Sequence, residues 1–165
     1  MYKRQDDCII VSGTLNITST EDGIIGKDLC GVVAGDININ AGSDGIKSTY
    51  DTDTTKGNVI IEGGNITIKA SNDGIQAENI LVINDGAINI KTNNGAADTT
   101  QTHIDNMDMG RGGFGFNNNK TTTTTDDTSE SRKGIKAGNM LIINDGDITI
   151  DSDDDSVHCN SVIYI

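Results

Sequence analysis

The chain has 165 residues, with 25 acidic against 12 basic side chains, a net charge of −13, and 25 Ile against 4 Leu, alongside 19 Thr, 18 Asn, 20 Gly and no Pro or Trp. That composition argues against a helical bundle, which would favour Leu, Ala, Glu and Lys, against an aromatic-centred core, since Phe and Tyr together number five, and against nucleic acid as a partner for so acidic a surface. So many Ile call for a real interior rather than disorder, and no run approaches the roughly 18 consecutive apolar residues of a membrane span.

Met1-Tyr2-Lys3-Arg4-Gln5 resembles nothing downstream. It reads as the translation of a transposon-type sequencing adaptor, so residues 1–5 are expected to be read-through and residues 6–165 one domain cut from a longer metagenomic chain. Any signal peptide would then lie outside the fragment.

From Cys8 onward the chain repeats. A Gly-x-[Leu/Ile]-x-Ile unit begins at Gly13, Gly35, Gly64, Gly86 and Gly146, in steps of 22, 29, 22 and 60 residues. Before each glycine stands an apolar triplet, starting at Cys8, Cys30, Val59, Leu81 and Leu141. After it comes Asp-Gly-Ile at Asp22, Asp44 and Asp73, which becomes Lys133-Gly134-Ile135 after an insert and Asp155-Ser156-Val157 at the end. Each unit of about 22 residues therefore predicts three short strands separated by Gly, Asn and Asp turns.

Period-two alternation gives the inward side chains. They form five apolar columns: Leu15/Ile37/Ile66/Ile88/Ile148, Ile17/Ile39/Ile68/Ile90/Ile150, Cys8/Cys30/Val59/Leu81/Leu141, Ile10/Val32/Ile61/Ile83/Ile143 and Ile24/Ile46/Ile75/Ile135/Val157. No single strand can bury its row, but stacking at about 4.8 Å buries all of them as ladders. The expected fold is all-β: a parallel β-helix of about 22 residues and three strands per coil, with about five to six coils. Crossover handedness makes it right-handed. An up-and-down barrel would not need one register to survive two inserts. Ile163 and Ile165 fall where a sixth coil would place inward residues, which fits a chain cut at its C-terminus as well.

Two inserts interrupt the register, about 49–55 and 94–132, at opposite ends of the strand that carries Asp-Gly-Ile. Loops on a rigid scaffold are where function concentrates. The first insert holds Tyr50. The second holds Arg111, Phe114 and Phe116 in a Gly-rich stretch, followed by Asn and Thr runs that also fit a low-complexity linker.

Asp22, Asp44, Asp73 and Asp155 share one register, where carboxylates about 5 Å apart repel. One account is Ca²⁺ at the acidic corners, with Asp22, Asp44, Asp73, Asp153, Asp154 and Asp155 as candidate ligands. The other is plain turn chemistry with solvated carboxylates. Lys133, replacing Asp in the fourth unit, can act as an internal counter-charge. Beside this column run Ile25, Lys47, Gln76, Lys136 and His158. They are expected to point outward, and polar donors flanked by aromatics suit a hydroxyl-rich or carboxylate-bearing polymer. An ordinary solvated strand face is the plain alternative.

Cys8 and Cys30 share an inward column within disulfide reach, though stacked parallel neighbours favour two packed thiols. Cys159 falls in a small-residue column with Gly26, Ser48, Ala77 and Ala137. His103 and His158 have no zinc-type spacing, and no nucleophile–base arrangement is readable.

In combination, Asp44-Gly45-Ile46-Lys47-Ser48, Asp73-Gly74-Ile75-Gln76-Ala77-Glu78, Lys133-Gly134-Ile135-Lys136-Ala137-Gly138, the strand Gly63–Ile68, the Gly/Arg/Phe-rich insert and Asp153-Asp154-Asp155-Ser156-Val157-His158 carry a resemblance. Over about residues 8–165 the chain resembles the bacterial carbohydrate-binding domain family first described as polysaccharide-lyase-like, from cellulolytic clostridia. The resemblance implies a right-handed parallel β-helix with bound calcium, extracellular or surface-attached. It also implies binding of plant polysaccharides such as cellulose and polygalacturonate, with little or no lyase activity. Ser156-Val157 departs from the family's pattern.

The expected function is thus a calcium-supported carbohydrate-binding module using Lys47, Tyr50, Gln76, Arg111, Phe114, Phe116, Lys136 and His158, with no catalytic residue assigned. The alternatives are a calcium-dependent pectate-type lyase, with Lys47, Lys136 or Arg132 as base, and a structural or adhesive surface protein.

Overall fold

The computed structural model describes residues 7–96 and 131–165. They form strands joined by short turns. In order these are β1 (Asp7–Ile10), β2 (Thr14–Ser19), β3 (Ile24–Gly26), β4 (Leu29–Val32), β5 (Asp36–Ala41), β6 (Ile46–Ser48), β7 (Asn58–Ile61) and β8 (Asn65–Ala70). They continue as β9 (Ile75–Ala77), β10 (Ile80–Ile83), β11 (Ala87–Thr92), β12 (Ile135–Ala137), β13 (Met140–Ile143), β14 (Asp147–Asp151), β15 (Val157–Cys159) and β16 (Val162–Tyr164). Every third strand pairs with its predecessor, in parallel. The first sheet runs β1-β4-β7-β10-β13-β16, the second β2-β5-β8-β11-β14 and the third β3-β6-β9-β12-β15. This is the arrangement of a parallel β-helix or solenoid.

The register is the one the columns require. Cys8 lies opposite Cys30, Leu15 opposite Ile37 and Ile24 opposite Ile46. Within a strand the alternation is plain: β5 exposes Asp36, Asn38 and Asn40 and buries Ile37, Ile39 and Ala41. Ile46, Ile61, Ile75, Ile83, Ile90 and Ile135 are fully enclosed. Cys8, Ile10, Leu15, Ile17, Ile148, Ile150 and Val157, from the outermost strands, pack against that core half-covered.

Two glycine positions are fixed by geometry. Gly13, Gly35, Gly64, Gly86 and Gly146 turn the chain from the first sheet to the second with φ between 109° and 127°, a region closed to residues with a Cβ. The glycine of Asp-Gly-Ile is fixed by crowding instead: a Cβ on Gly23 would lie 2.6 Å from the carbonyl oxygen of Gly45 in the next repeat. Ser156 stands at that position before β15, the edge strand of the third sheet. No described strand stacks beyond it, so the departure from Asp-Gly-Ile meets no such carbonyl.

Both inserts leave at corners and spare the ladders. Cys30 still pairs with Val59 across the first, and Ile75 with Ile135 across the second. The first follows β6 and the second precedes β12, two strands away in the third sheet. Cys8, Cys30 and Cys159 are free thiols. Burial, and then neighbouring Cys8, push the Cys30 thiol up to about 12. Cys159 stacks on Ala137, as its column requires. Among the described residues no helix is long and apolar enough to cross a membrane.

Ile68 is 1% exposed and Ile25 is 50% exposed. Ile68→Ala is expected to cost about 2–5 kcal/mol through lost burial and a cavity, and Ile25→Ala about 0.5 kcal/mol or less. Equilibrium urea unfolding of the two variants checks the difference.

Candidate functional site

The third sheet aligns Ile25, Lys47, Gln76, Lys136 and His158 as successive partners. Four of the predicted sugar-binding residues are thereby brought into one line up the solenoid. None of the four is a loose donor. Lys47 Nζ donates to Asp44 Oδ2 at 2.5 Å and Lys136 Nζ lies 3.3 Å from Asp73 Oδ2. Gln76 Nε2 donates to Glu78 Oε1 at 3.0 Å. His158 bridges Asp155 Oδ2, 3.1 Å from Nδ1, and Asn160 Oδ1, 3.0 Å from Nε2.

Tyr50 lies just beyond β6, half-buried. The ammonium groups of Lys27 and Lys56 lie over it, 5.3 and 4.8 Å from the ring centre, a cation–π contact. Lys56 is also held by Asp28 at 2.6 Å. Arg111, Phe114 and Phe116 lie outside the described residues, as do Met1–Gln5.

In the acidic column, two of the carboxylates expected either to hold calcium or to be solvated at turns are enclosed. Asp44 and Asp73 are buried, 3% and 1% exposed. The compensation comes from within the chain. Asp22 Oδ1 accepts the Asp44 N–H at 3.0 Å, Asp44 Oδ1 accepts the Asp73 N–H at 2.9 Å, and Asp73 Oδ1 accepts the Lys133 N–H at 2.7 Å. Each carboxylate thus caps the turn of the next repeat, while Lys47 and Lys136 supply the counter-charges. Lys133 extends the pattern through its side chain, pairing with Asp154 and, at 3.4 Å, with Asp155.

Burial raises the Asp44 carboxyl above its ordinary value, only partly offset by the hydrogen bond and charge of Lys47. Burial alone would lower Lys47, but the hydrogen bond and charge of Asp44, with Asp22 and Glu78, outweigh it and hold the ammonium up. The same opposition raises Lys133, where Asp154 and Asp155 outweigh burial.

A second cluster, which sequence reasoning did not assemble, closes the base of the long insert. Thr92 Oγ1 donates to the Arg132 carbonyl at 2.7 Å, and Asp153 N–H donates to Thr92 Oγ1 at 3.2 Å. Asp153, its side chain 2% exposed, accepts from Arg132 Nη1 at 2.8 Å and from Asn93 Nδ2 at 3.0 Å. Asp151 takes Lys91 at 2.9 Å and the Ala96 N–H at 2.9 Å, which together hold its carboxyl below the usual range. The dense run Asp151–Asp155 was the only sequence signal, and it read equally well as a metal site.

The six candidate calcium ligands are all engaged within the chain. Each of the six candidate ligands already accepts from, or pairs with, a nitrogen of the chain. Among the described residues no group of three or more His, Cys, Asp or Glu side chains is placed to hold a metal.

The profile of carbohydrate-binding domain-containing proteins matches residues 2–165. The chain belongs to that family. Membership gives this carbohydrate-binding protein its role and suggests polysaccharide as its partner. No curated protein and no solved structure matches the chain.

Asp44→Ala removes both the acceptor of the Asp73 N–H and the partner of Lys47, and is expected to cost about 3–5 kcal/mol; Asp44→Asn, which keeps an acceptor, is expected to cost about 1–3 kcal/mol. In Lys47→Met the Asp44 carboxyl loses what restrains it, so its folded pKa moves further above the unfolded 3.8. Ionised Asp44 then costs stability at neutral pH, and that cost is relieved as pH falls through the folded pKa. Relative to the unsubstituted chain, the Lys47→Met melting temperature should recover on acidification; an unchanged difference across that range would contradict the buried pairing.

Proposed function

We propose that the chain is an extracellular carbohydrate-binding module that takes plant-type polysaccharide, of the cellulose or pectin class, along the outward column of the third sheet. The observation that carries this reading is the line Lys47–Gln76–Lys136–His158. Its polar groups recur at the strand spacing of about 4.8 Å, each held by a fixed partner. Donors held in place lose little freedom on binding, and a linear array suits a linear polymer.

The lyase alternative needs a Lys or Arg able to take a proton from the sugar. Lys47, Lys136 and Arg132 are each paired with an aspartate, and Lys47 is held protonated. Nothing tunes one of them to act as a base. We propose that this site works without a bound calcium, since Asp44 and Asp73 have Lys47 and Lys136 beside them.

The test is retention on insoluble cellulose and on pectin gel, with and without EDTA. Retention that survives EDTA and weakens about tenfold in a Gln76→Ala/His158→Ala variant is expected, the loss of a few hydrogen bonds. Retention on neither polymer would end the reading in favour of a structural spacer. Ultraviolet absorbance from unsaturated product on polygalacturonate would replace it with a lyase.

A further inference from the structure

The second sheet presents a different surface. Its central outward column is Asn16, Asn38, Thr67, Asn89 and Thr149, matched strand to strand. All are short and uncharged, and all carry an amide or a hydroxyl. Asn38 Nδ2 donates to Asn16 Oδ1 at 3.2 Å, which sets two amides side by side. The neighbouring column is Thr18, Asn40, Lys69, Lys91 and Asp151. Over the first three strands lies a shallow depression whose polar lining is Asn16, Thr18, Asn38, Asn40, Thr67 and Lys69, with Ile17 and Ile39 between them.

Lys69 is the anomaly. The described residues contain eight Lys and Arg side chains. Lys47, Lys56, Lys91, Arg132, Lys133 and Lys136 are paired with aspartates, and Lys27 lies over Tyr50. Among the described residues Lys69 has neither a carboxylate nor a ring. In a chain of net charge −13, an ammonium left without an internal acid, beside a row of amides and hydroxyls, presents the complement of a molecule that carries both a carboxylate and hydroxyl groups.

We propose that this depression is a second sugar subsite, on a different face from the Lys47 column, and that it reads uronate residues. Lys69 Nζ takes the carboxylate, and Asn16, Asn38, Asn40 and Thr67 take ring hydroxyls. A neutral sugar would leave the ammonium unanswered. A simple anion would leave the amides unused, and these can both donate to and accept from a polyol. Asn and Thr have few rotatable bonds, so ordering them on a flat sheet costs little. The proposal rests on the carbohydrate-binding reading above and narrows it: the carboxylate is recognised directly, by an ammonium, without a bridging cation.

The test titrates the full chain, in EDTA, with a defined oligogalacturonide and with its fully methyl-esterified form, following Asn side-chain amide resonances by NMR. The unsubstituted chain is expected to prefer the acid form about tenfold, the value of one charge-assisted hydrogen bond, with shifts at Asn16, Asn38 and Asn40. Lys69→Gln should abolish the preference and leave the melting temperature unchanged. A preference that survives Lys69→Gln, or shifts confined to Gln76 and its neighbours, would overturn this subsite and leave the first one standing. Binding of neither oligosaccharide, together with no retention on polymer, would remove both.

Discussion

In a stacked parallel sheet every side chain lies directly on its counterpart one repeat away, and the whole molecule follows from that constraint. For Ile it is favourable, since like on like gives continuous apolar ladders with alternating faces. For Asn it is also favourable, because an amide both donates and accepts: Asn139 donates to Asn79, which donates to Asn58, at 2.8 and 3.1 Å. For Gly it keeps clear the space that the next repeat's backbone needs. For Asp it is unfavourable, and there the chain departs from simple repetition. The carboxylates reach up to the backbone N–H of the next turn, and a lysine stands beside each of the two most buried, Asp44 and Asp73.

That solution shapes the candidate sites. The cations of the third sheet, Lys47 and Lys136, are committed to buried acids and so are fixed in place. In the proposed site it is their partly exposed faces that orient hydroxyls. The second sheet has no buried acids beneath its outward columns, and its polar groups answer mainly to one another. The same repeat thus produces one face of anchored charge and another whose central outward column is neutral amides and hydroxyls, with one uncommitted ammonium, Lys69, beside it. Family membership assigns carbohydrate binding to the chain as a whole, and the proposed sites divide that role between two faces.

The inward columns were legible in the sequence because two periodicities agreed: alternation within a strand, and recurrence of Ile, Leu, Val or Cys in one register. The alignment of Lys47, Gln76, Lys136 and His158 was legible for the same reason. The fate of Asp44 and Asp73 was not. Spacing places them at a corner but does not say whether the carboxylate turns to solvent or to the next N–H. The cations over Tyr50 were not legible either, because they come from separate places in the chain, Lys27 one repeat earlier and Lys56 across the insert. Lys69 carried no signal at all, since its distinction lies in the partners that every other described cation has and it lacks.

The bonds between the Asp column and the backbone all point one way, from each carboxylate to the amide of the following repeat. The column is therefore a directed grammar rather than a symmetric stack. What a position demands is an acid in the repeat before it, not an acid of its own, and this is why Lys133 can reverse the charge at its position while its N–H still satisfies Asp73. A repeat added after an Asp layer would inherit an acceptor for its turn whatever side chain it carried. A repeat added ahead of one would have to bring the carboxylate itself. Growth of such a solenoid by duplication is easier at one end than at the other.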